Sequence, residues 1–379
     1  MSANARDRSL VVIELAGGND ALNTVIPYND GLYYDYRSGV GIPQDQVLKI
    51  DPDLGLNPNM APLVDLWDEG NMAIVNGIGY ANPSRSHFRA RDIWYTAEPE
   101  QVVPEGWLAG AIRDLDPAAE NVLTGVNFGR GLPRALVGRG VPVASVGSLE
   151  TYGLLPDVVD EMARERSLEA FRRMYGPDGG KDVLAQALSQ SGSDALKGAD
   201  ILRTAPGLYK SGVEYADTPL AQSLRGVAQV MFADLGARVY YAQHGSFDTH
   251  SAETLAHARL WQDVSSAVSD FWDDLKEHGR DKDTLILLWS EFGRRIQDNG
   301  TGTDHGSGGS AFVIGAGIKG GLYGEYPSLK ERDHLEGDLH FNNDFRSTYS
   351  TILDAWLGLD PVPIVRGGFE QMDFVRDPA

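Results

Sequence analysis

Three strand-like runs in this chain end in or near a carboxylate, and that repetition constrains the fold more than any other feature. Leu10–Ala16 is apolar except for Glu14 and leads into Gly17-Gly18-Asn19-Asp20. Ala237–Ala242 leads into Gln243-His244-Gly245-Ser246-Phe247-Asp248-Thr249-His250. Leu285–Trp289 ends in Ser290-Glu291-Phe292-Gly293-Arg294, and a polar, glycine-rich loop carrying Asp304-His305-Gly306 follows. Continuous apolar runs of this length read as strands buried on both faces, the condition of a parallel sheet covered by helices. Parallel strands end on one edge, so Asp20, Asp248 and Glu291 can meet there.

The intervening sequence supplies the covering helices. Ala61–Glu69 has helical spacing and precedes a further buried run, Met72–Ile78, which gives the strand–helix–strand order of a parallel sheet. That run passes into Pro83-Ser84-Arg85-Ser86-His87-Phe88-Arg89, where Pro and Ser mark a helix start extending to about Tyr95. Gly106–Asp114 reads as a short helix, and Asn121–Val146 as two or three short strands. Leu154–Leu235 changes character to mostly helical and polar, which predicts a helical insertion or cap within one α/β domain spanning residues 1–379. From Glu253 to His278, apolar residues recur every three or four positions along one long helix, with His257 and His278 at solvated positions. Ala311–Ile314 is one more strand, and Asp344–Leu357 the final helix.

Composition removes several classes of function. The 379 residues carry a net charge of −21, which repels nucleic acid and anionic membranes. There is no cysteine, so disulfides, thiolate metal sites and cysteine nucleophiles are excluded. No apolar run is long enough to span a bilayer. An anionic substrate therefore needs a local island of positive charge, from arginine or from a metal.

Asp20, Asp248, His250, Glu291, Asp304 and His305 form a ligand set for one or two divalent metals. Ser86, at a helix start beside His87, is the best-placed nucleophile, while Ser84 reads as a plain helix cap. Arg85, Arg89 and Arg294 are candidates to hold non-bridging oxygens of an anion, with Asn19 beside them. Glu291 has an alternative as an i, i+3 partner of Arg294, and Asp248 or Thr249 as a cap of the long helix. His244 reads equally as a ligand, a group bonded to a ligand, or a core residue.

The motifs GGNDALNTVIPY, NPSRSHFRARDIW, SFDTH, LLWSEFGRR, GTDHG and GDLHFNNDFRSTY, in this order, resemble the bacterial DUF1501 family. That family is similar to a branch of the alkaline phosphatase/sulfatase superfamily. The resemblance implies an alkaline-phosphatase-like three-layer sandwich around a mostly parallel sheet. It implies Asp20, Asp248, His250, Glu291 and His305 as ligands of Zn, Mn, Mg or Ca, and Ser86 as nucleophile, with Ser84 as the alternative. The superfamily often pairs the acid at Glu291 with an adjacent imidazole, and this chain has Phe292 there. That departure argues against a strict two-zinc site and toward an oxygen-rich one. The implied function is a metal-dependent hydrolase of phosphate or sulfate esters, small-molecule or glycan. The alternatives are a non-catalytic metal- or glycan-binding protein and a metal-dependent isomerase or mutase. The family also implies a periplasmic or exported protein with a twin-arginine leader, and none is legible in MSANARDRS.

Overall fold

The computed structural model describes residues 8–149, 160–174 and 183–376. Its centre is a nine-stranded sheet. The strands are β1 (Ser9–Leu15), β2 (Met72–Gly79), β3 (Gly125–Phe128), β4 (Val143–Val146), β5 (Val239–His244), β6 (Thr284–Trp289), β7 (Gly309–Ile314), β8 (Gly321–Tyr323) and β9 (Asn343–Asp344). Their spatial order is β8-β2-β7-β6-β1-β5-β3-β4, with β9 pairing on β2. β1 pairs in parallel with both β5 and β6. β7 is antiparallel to both of its neighbours, β6 and β2. β1, β2, β5 and β6 therefore all end at one edge, and β7 begins there. Four loops meet at that edge, those after β1, β2 and β5 and the one joining β6 to β7, and the candidate site is built from them.

The strand period of two sorts β1 onto two cores. Val11, Ile13 and Leu15 face one apolar cluster, and Leu10 and Val12 the other. The helices follow the same division. On one side lie α1 (His87–Thr96), α2 (Trp107–Leu115) and, near the C-terminus, Phe345–Thr351. On the other lie two helices that follow the α3 (Glu161–Met174) and α4 (Val183–Leu202) pair, namely α5 (Pro219–Phe232) and α6 (Glu253–Glu277). The result is a three-layer α/β/α sandwich, as expected. Trp94 stacks on Trp289 at 4.9 Å between ring centres and so locks α1 to β6. The expected helical region 154–235 contains α3, α4 and α5, with 154–159 and 175–182 outside the described residues.

Glu14, the lone acid of the first run, is fully buried in β1. Burial raises its carboxyl, while Arg91 and the hydroxyls of Tyr241 and Tyr95 work the other way. Arg91 donates to it at 2.6 Å and Tyr95 at 2.8 Å. Those bonds satisfy a charge the strand would otherwise bury at a cost of several kcal/mol, and they orient α1 over the sheet edge.

Candidate metal centre at the sheet edge

The loop after β1 brings glycine to the tightest point of the edge. Gly17 has φ +123, and a Cβ there would lie 2.5 Å from the Asp248 backbone nitrogen. Only glycine lets the loops after β1 and β5 touch. A Cβ on Gly18 would lie 2.3 Å from the Phe292 ring.

Three imidazoles and one carboxylate converge beside this contact. His87, Asp248 and His305 each offer a ligand atom within 4.8 Å of the others. His250 Nε2 lies 3.0 Å from His305 Nε2 and 3.1 Å from Asp248 Oδ1. His305 Nε2 is 3.0 Å from the same oxygen, and His87 Nε2 is 3.4 Å from Asp248 Oδ2.

The far nitrogen of each ring is anchored on an acceptor. His87 Nδ1 donates to Glu291 at 2.8 Å, His250 Nδ1 to Asp304 at 2.9 Å, and His305 Nδ1 to the Arg85 carbonyl at 2.8 Å. Carboxylates and carbonyls only accept, so Nδ1 carries the proton in each ring. In the neutral form the three rings aim their Nε2 lone pairs at one space. Two of those nitrogens are 3.0 Å apart and repel unless a proton or a cation lies among them. Among the described residues, His87 Nε2 is buried without a hydrogen-bond partner. Imidazoles oriented through Nδ1 by carboxylate or carbonyl, with Nε2 convergent on a carboxylate, fit a divalent metal. The donor set of three nitrogens and one carboxylate suits a borderline ion such as zinc better than magnesium or calcium.

The electrostatics agree with that geometry. Burial pushes the Asp248 carboxyl up, but the hydrogen bond and charge of the Arg294 guanidinium lead the effects that outweigh it and hold it well below the usual carboxylate range. The hydrogen bond to Glu291 raises the His87 imidazole above its ordinary value, against desolvation. Glu291 is pushed up by burial, and its bonds to His87 and to the backbone outweigh that and pull it down.

Not every candidate residue joins this cluster. Glu291 is buried and fully committed: it accepts from the Gly17 and Gly18 N–H groups at 3.0–3.1 Å as well as from His87. It holds a ligand in place and has no free face. Asp304 likewise holds His250 from the outer side. Asp20 is fully buried away from the imidazoles in an ion pair with Arg37. Asn19 is buried too, its side-chain oxygen accepting from Thr24, His257 and Trp261. Phe292 packs on both His87 and His305, at 4.9 and 5.0 Å between ring centres, and walls the cluster on that side.

The arginines are committed as well. Arg294 is fully buried and donates to the carbonyls of Gly17, Gly18, Phe247 and Thr303 and to Asp248. Arg85 is paired with Asp338 at 2.8 Å, and Arg89 with Asp92 at 2.8 Å and nearby carbonyls. Ser86 is different. It is the exposed N-cap residue of α1, and its side chain makes no capping bond. Ser84 instead accepts the Ser86 N–H at 3.3 Å.

A second buried network lies behind the centre, and sequence reasoning did not find it. Glu253, fully buried at the start of α6, accepts from Thr303 at 2.6 Å and lies 4.0 Å from Arg37. His257 is 2 % exposed and bonded to Asn19, so it is a core residue and not a solvated one. Its neighbours come from the β1 loop, which the helical period of α6 alone does not reveal. His278 is half-buried, with both ring nitrogens on backbone carbonyls. His244 is a half-buried ring whose Nε2 has no partner.

The family model described as "Protein of unknown function (DUF1501)" matches residues 150–361. The chain belongs to the DUF1501 family. No curated protein sequence matches this DUF1501 chain. Among solved structures, a sulfatase from Pseudoalteromonas sp. is similar, with 12% identity over 98% of this chain and 70% of that one, at a TM-score of 0.38. The lipoteichoic acid synthase LtaP from Listeria monocytogenes shows 10% identity over 98% and 77%, at 0.37. The C-terminal periplasmic domain of EcEptC from Escherichia coli shows 10% over 97% and 88%, at 0.41. A likeness this loose assigns no role to any residue here. No helix among the described residues is long and apolar enough to cross a membrane.

Proposed function

We propose that this DUF1501 protein is a metal-dependent hydrolase of phosphate or sulfate esters, with one metal held by His87, Asp248, His250 and His305. The observation that carries the reading is the convergence of three Nδ1-anchored imidazoles on one carboxylate at the sheet edge. A divalent ion bound there would supply Lewis acidity to an ester oxygen. A second ion is disfavoured because Arg37 occupies Asp20 and Phe292 fills the space beside His87 and His305.

The chain's own residues supply the rest. Ser86 offers an exposed hydroxyl, free of capping duty, next in sequence to a ligand. Its oxygen would attack phosphorus or sulfur, and the ester oxygen would leave as the alcohol, taking up a proton. Water would then release the inorganic anion from the serine. Glu291 fixes the His87 ring, and Phe292 keeps water from its flank. Residues 154–235 are read as a cap over one α/β domain. A periplasmic or exported location is proposed from the family resemblance, and cell fractionation would test it.

Metal analysis of protein purified without chelator, paired with aryl phosphate and aryl sulfate assays, tests the reading. One equivalent of metal, lost in His250→Ala, and turnover lost in Ser86→Ala with an unchanged melting temperature are expected. Metal-free wild type whose melting is indifferent to chelator would refute it. One observation favours the non-catalytic alternative: Arg85, Arg89 and Arg294 have partners already. Bound metal without turnover on either ester would decide for that alternative.

A further inference from the structure

With Arg85, Arg89 and Arg294 committed, the positive charge for an anionic substrate must come from elsewhere. Two adjoining cavities lie over the carboxyl ends of β3 and β5. One, of about 430 Å³, is lined by Phe88, Arg91, Tyr95 and Leu132 among others. The other, of about 600 Å³, is lined by Phe128, Leu149, Gln222, Arg225 and Gln229 among others. Both share Arg130 and Gln243 in their walls, so they form one cleft.

The cleft runs along the helix that begins at His87. His87, Arg91 and Tyr95 are spaced i, i+4 and i+8 on α1, so one stripe of that helix carries a ligand and then the cleft wall. Gln243 lies in β5, five residues before Asp248.

Its charge is opposite to the rest of the molecule. The chain carries −21, yet among the described residues no carboxylate lines the larger cavity. In the smaller one, Asp92 is held by Arg89 and Arg134, and Arg91 by Glu14. Among the described residues, neither Arg130 nor Arg225 has an ion-pair partner. Arg130 stands exposed on a pinned turn, where the Gly131 carbonyl accepts from Asn127 and Ser145. Phe88 is 91% exposed at the mouth, a large apolar face that no other described residue covers.

We propose that this cleft is the substrate-recognition surface of the centre. Arg130 and Arg225 bind a second anionic group on an extended sulfated or phosphorylated saccharide, and Phe88 and Leu132 offer apolar surface to a ring face. The proposal rests on reading His87, Asp248, His250 and His305 as an ester-hydrolysing centre. Guanidinium groups recognise sulfate and phosphate oxygens by paired hydrogen bonds, and an isolated cationic cleft concentrates anions against the surrounding negative field.

Calorimetric titration of the full chain with a disulfated disaccharide and with its unsulfated parent tests the cleft. The wild type should bind the disulfate and not the parent, more weakly as salt rises. Arg130→Gln and Arg225→Gln should each weaken that binding at least about tenfold, and Arg130→Lys should recover part of it. Unchanged melting temperatures would show that the exposed Arg130 variants fold. The titration is repeated on chelator-treated protein. A loss in the Gln variants that persists there supports the cleft even if metal-dependent turnover fails. Variants that bind as tightly as wild type, or a wild type that does not distinguish disulfate from parent, would overturn it.

Discussion

Arg294 ties the loops of the sheet edge together, and Arg294→Lys measures that role. The guanidinium is fully buried and meets five acceptors: the carbonyls of Gly17, Gly18, Phe247 and Thr303, and Asp248 Oδ1. Those acceptors belong to the loops after β1 and β5 and to the one before β7. Lysine keeps the charge but has three N–H donors on one atom, so at least two buried acceptors lose their partner. Each costs about 1–3 kcal/mol when unmet, which totals about 2–6 kcal/mol. An unfolding entropy of about 2.1 cal/mol/K per residue converts that, for a chain of this length, into a fall in melting temperature of about 3–8 °C. Differential scanning calorimetry reads it directly, and no disulfide complicates the transition. Chelated protein should show the same drop, because the lost bonds are within the protein. Arg294→Met should fall further, since it also leaves Asp248 without its buried cation. A lysine variant that melts within about 1 °C of wild type would refute the assignment of Arg294 as a structural clamp.

Three further outcomes follow from the same geometry. Saturation with metal at about 100 times its dissociation constant should stabilise the fold by about 2.7 kcal/mol, so chelator should lower the melting temperature of the wild type and leave His250→Ala unmoved. Glu291→Gln keeps all four ligands but weakens the acceptor on His87 Nδ1, so metal affinity in a chelator competition should drop about 10–100-fold; an unchanged affinity would show that Glu291 does not orient the ring. The third outcome concerns pH: burial, then the neighbouring Asp20, push the Glu253 carboxyl up from 4.5 to about 9. A raised acid holds its proton in the native state, so its stabilisation is complete below 4.5 and is lost as pH rises toward 9. Urea midpoints between those limits should decline in the wild type and flatten in Glu253→Gln, and parallel profiles would sink the assignment.

The sheet was legible because its signals are local. A run such as Leu285–Trp289, apolar at every position, has few ways to satisfy both its side chains and its backbone other than as a strand covered on both faces. The long helix was legible for the same reason, from its period. β7 was legible as a strand but not in direction: nothing in Ala311–Ile314 distinguishes an antiparallel neighbour from a parallel one. The final helix was expected to be continuous over Asp344–Leu357 and changes to a π-helix at Ile352–Trp356, a shift in hydrogen-bond register that side-chain spacing hardly alters.

The candidate site was legible as a set of residue types and not as a set of roles. Asp20 and Asp248 look alike in the sequence, each a few residues past a strand end, after glycine. They diverge because of residues elsewhere. The short helix Gly31–Tyr36 returns Arg37 beneath Asp20, and two carboxylates around one guanidinium in a closed pocket settle with Asp20 charged and Glu253 protonated. Asp248 instead keeps a half-open side chain, with only one edge on Arg294 and the imidazoles around it. His87 shows the converse. In sequence it is a neighbour of the candidate nucleophile Ser86 and so a candidate catalytic residue. What makes it a ligand candidate is Glu291, 204 positions away, which accepts the hydrogen bond of its Nδ1–H and leaves Nε2 facing His305 and Asp248. The role of an imidazole is set by the acceptor on its far nitrogen, and that acceptor is chosen by the register of β6 against β1, which aligns Trp289 with Glu14 and so sets Glu291 beside Gly17.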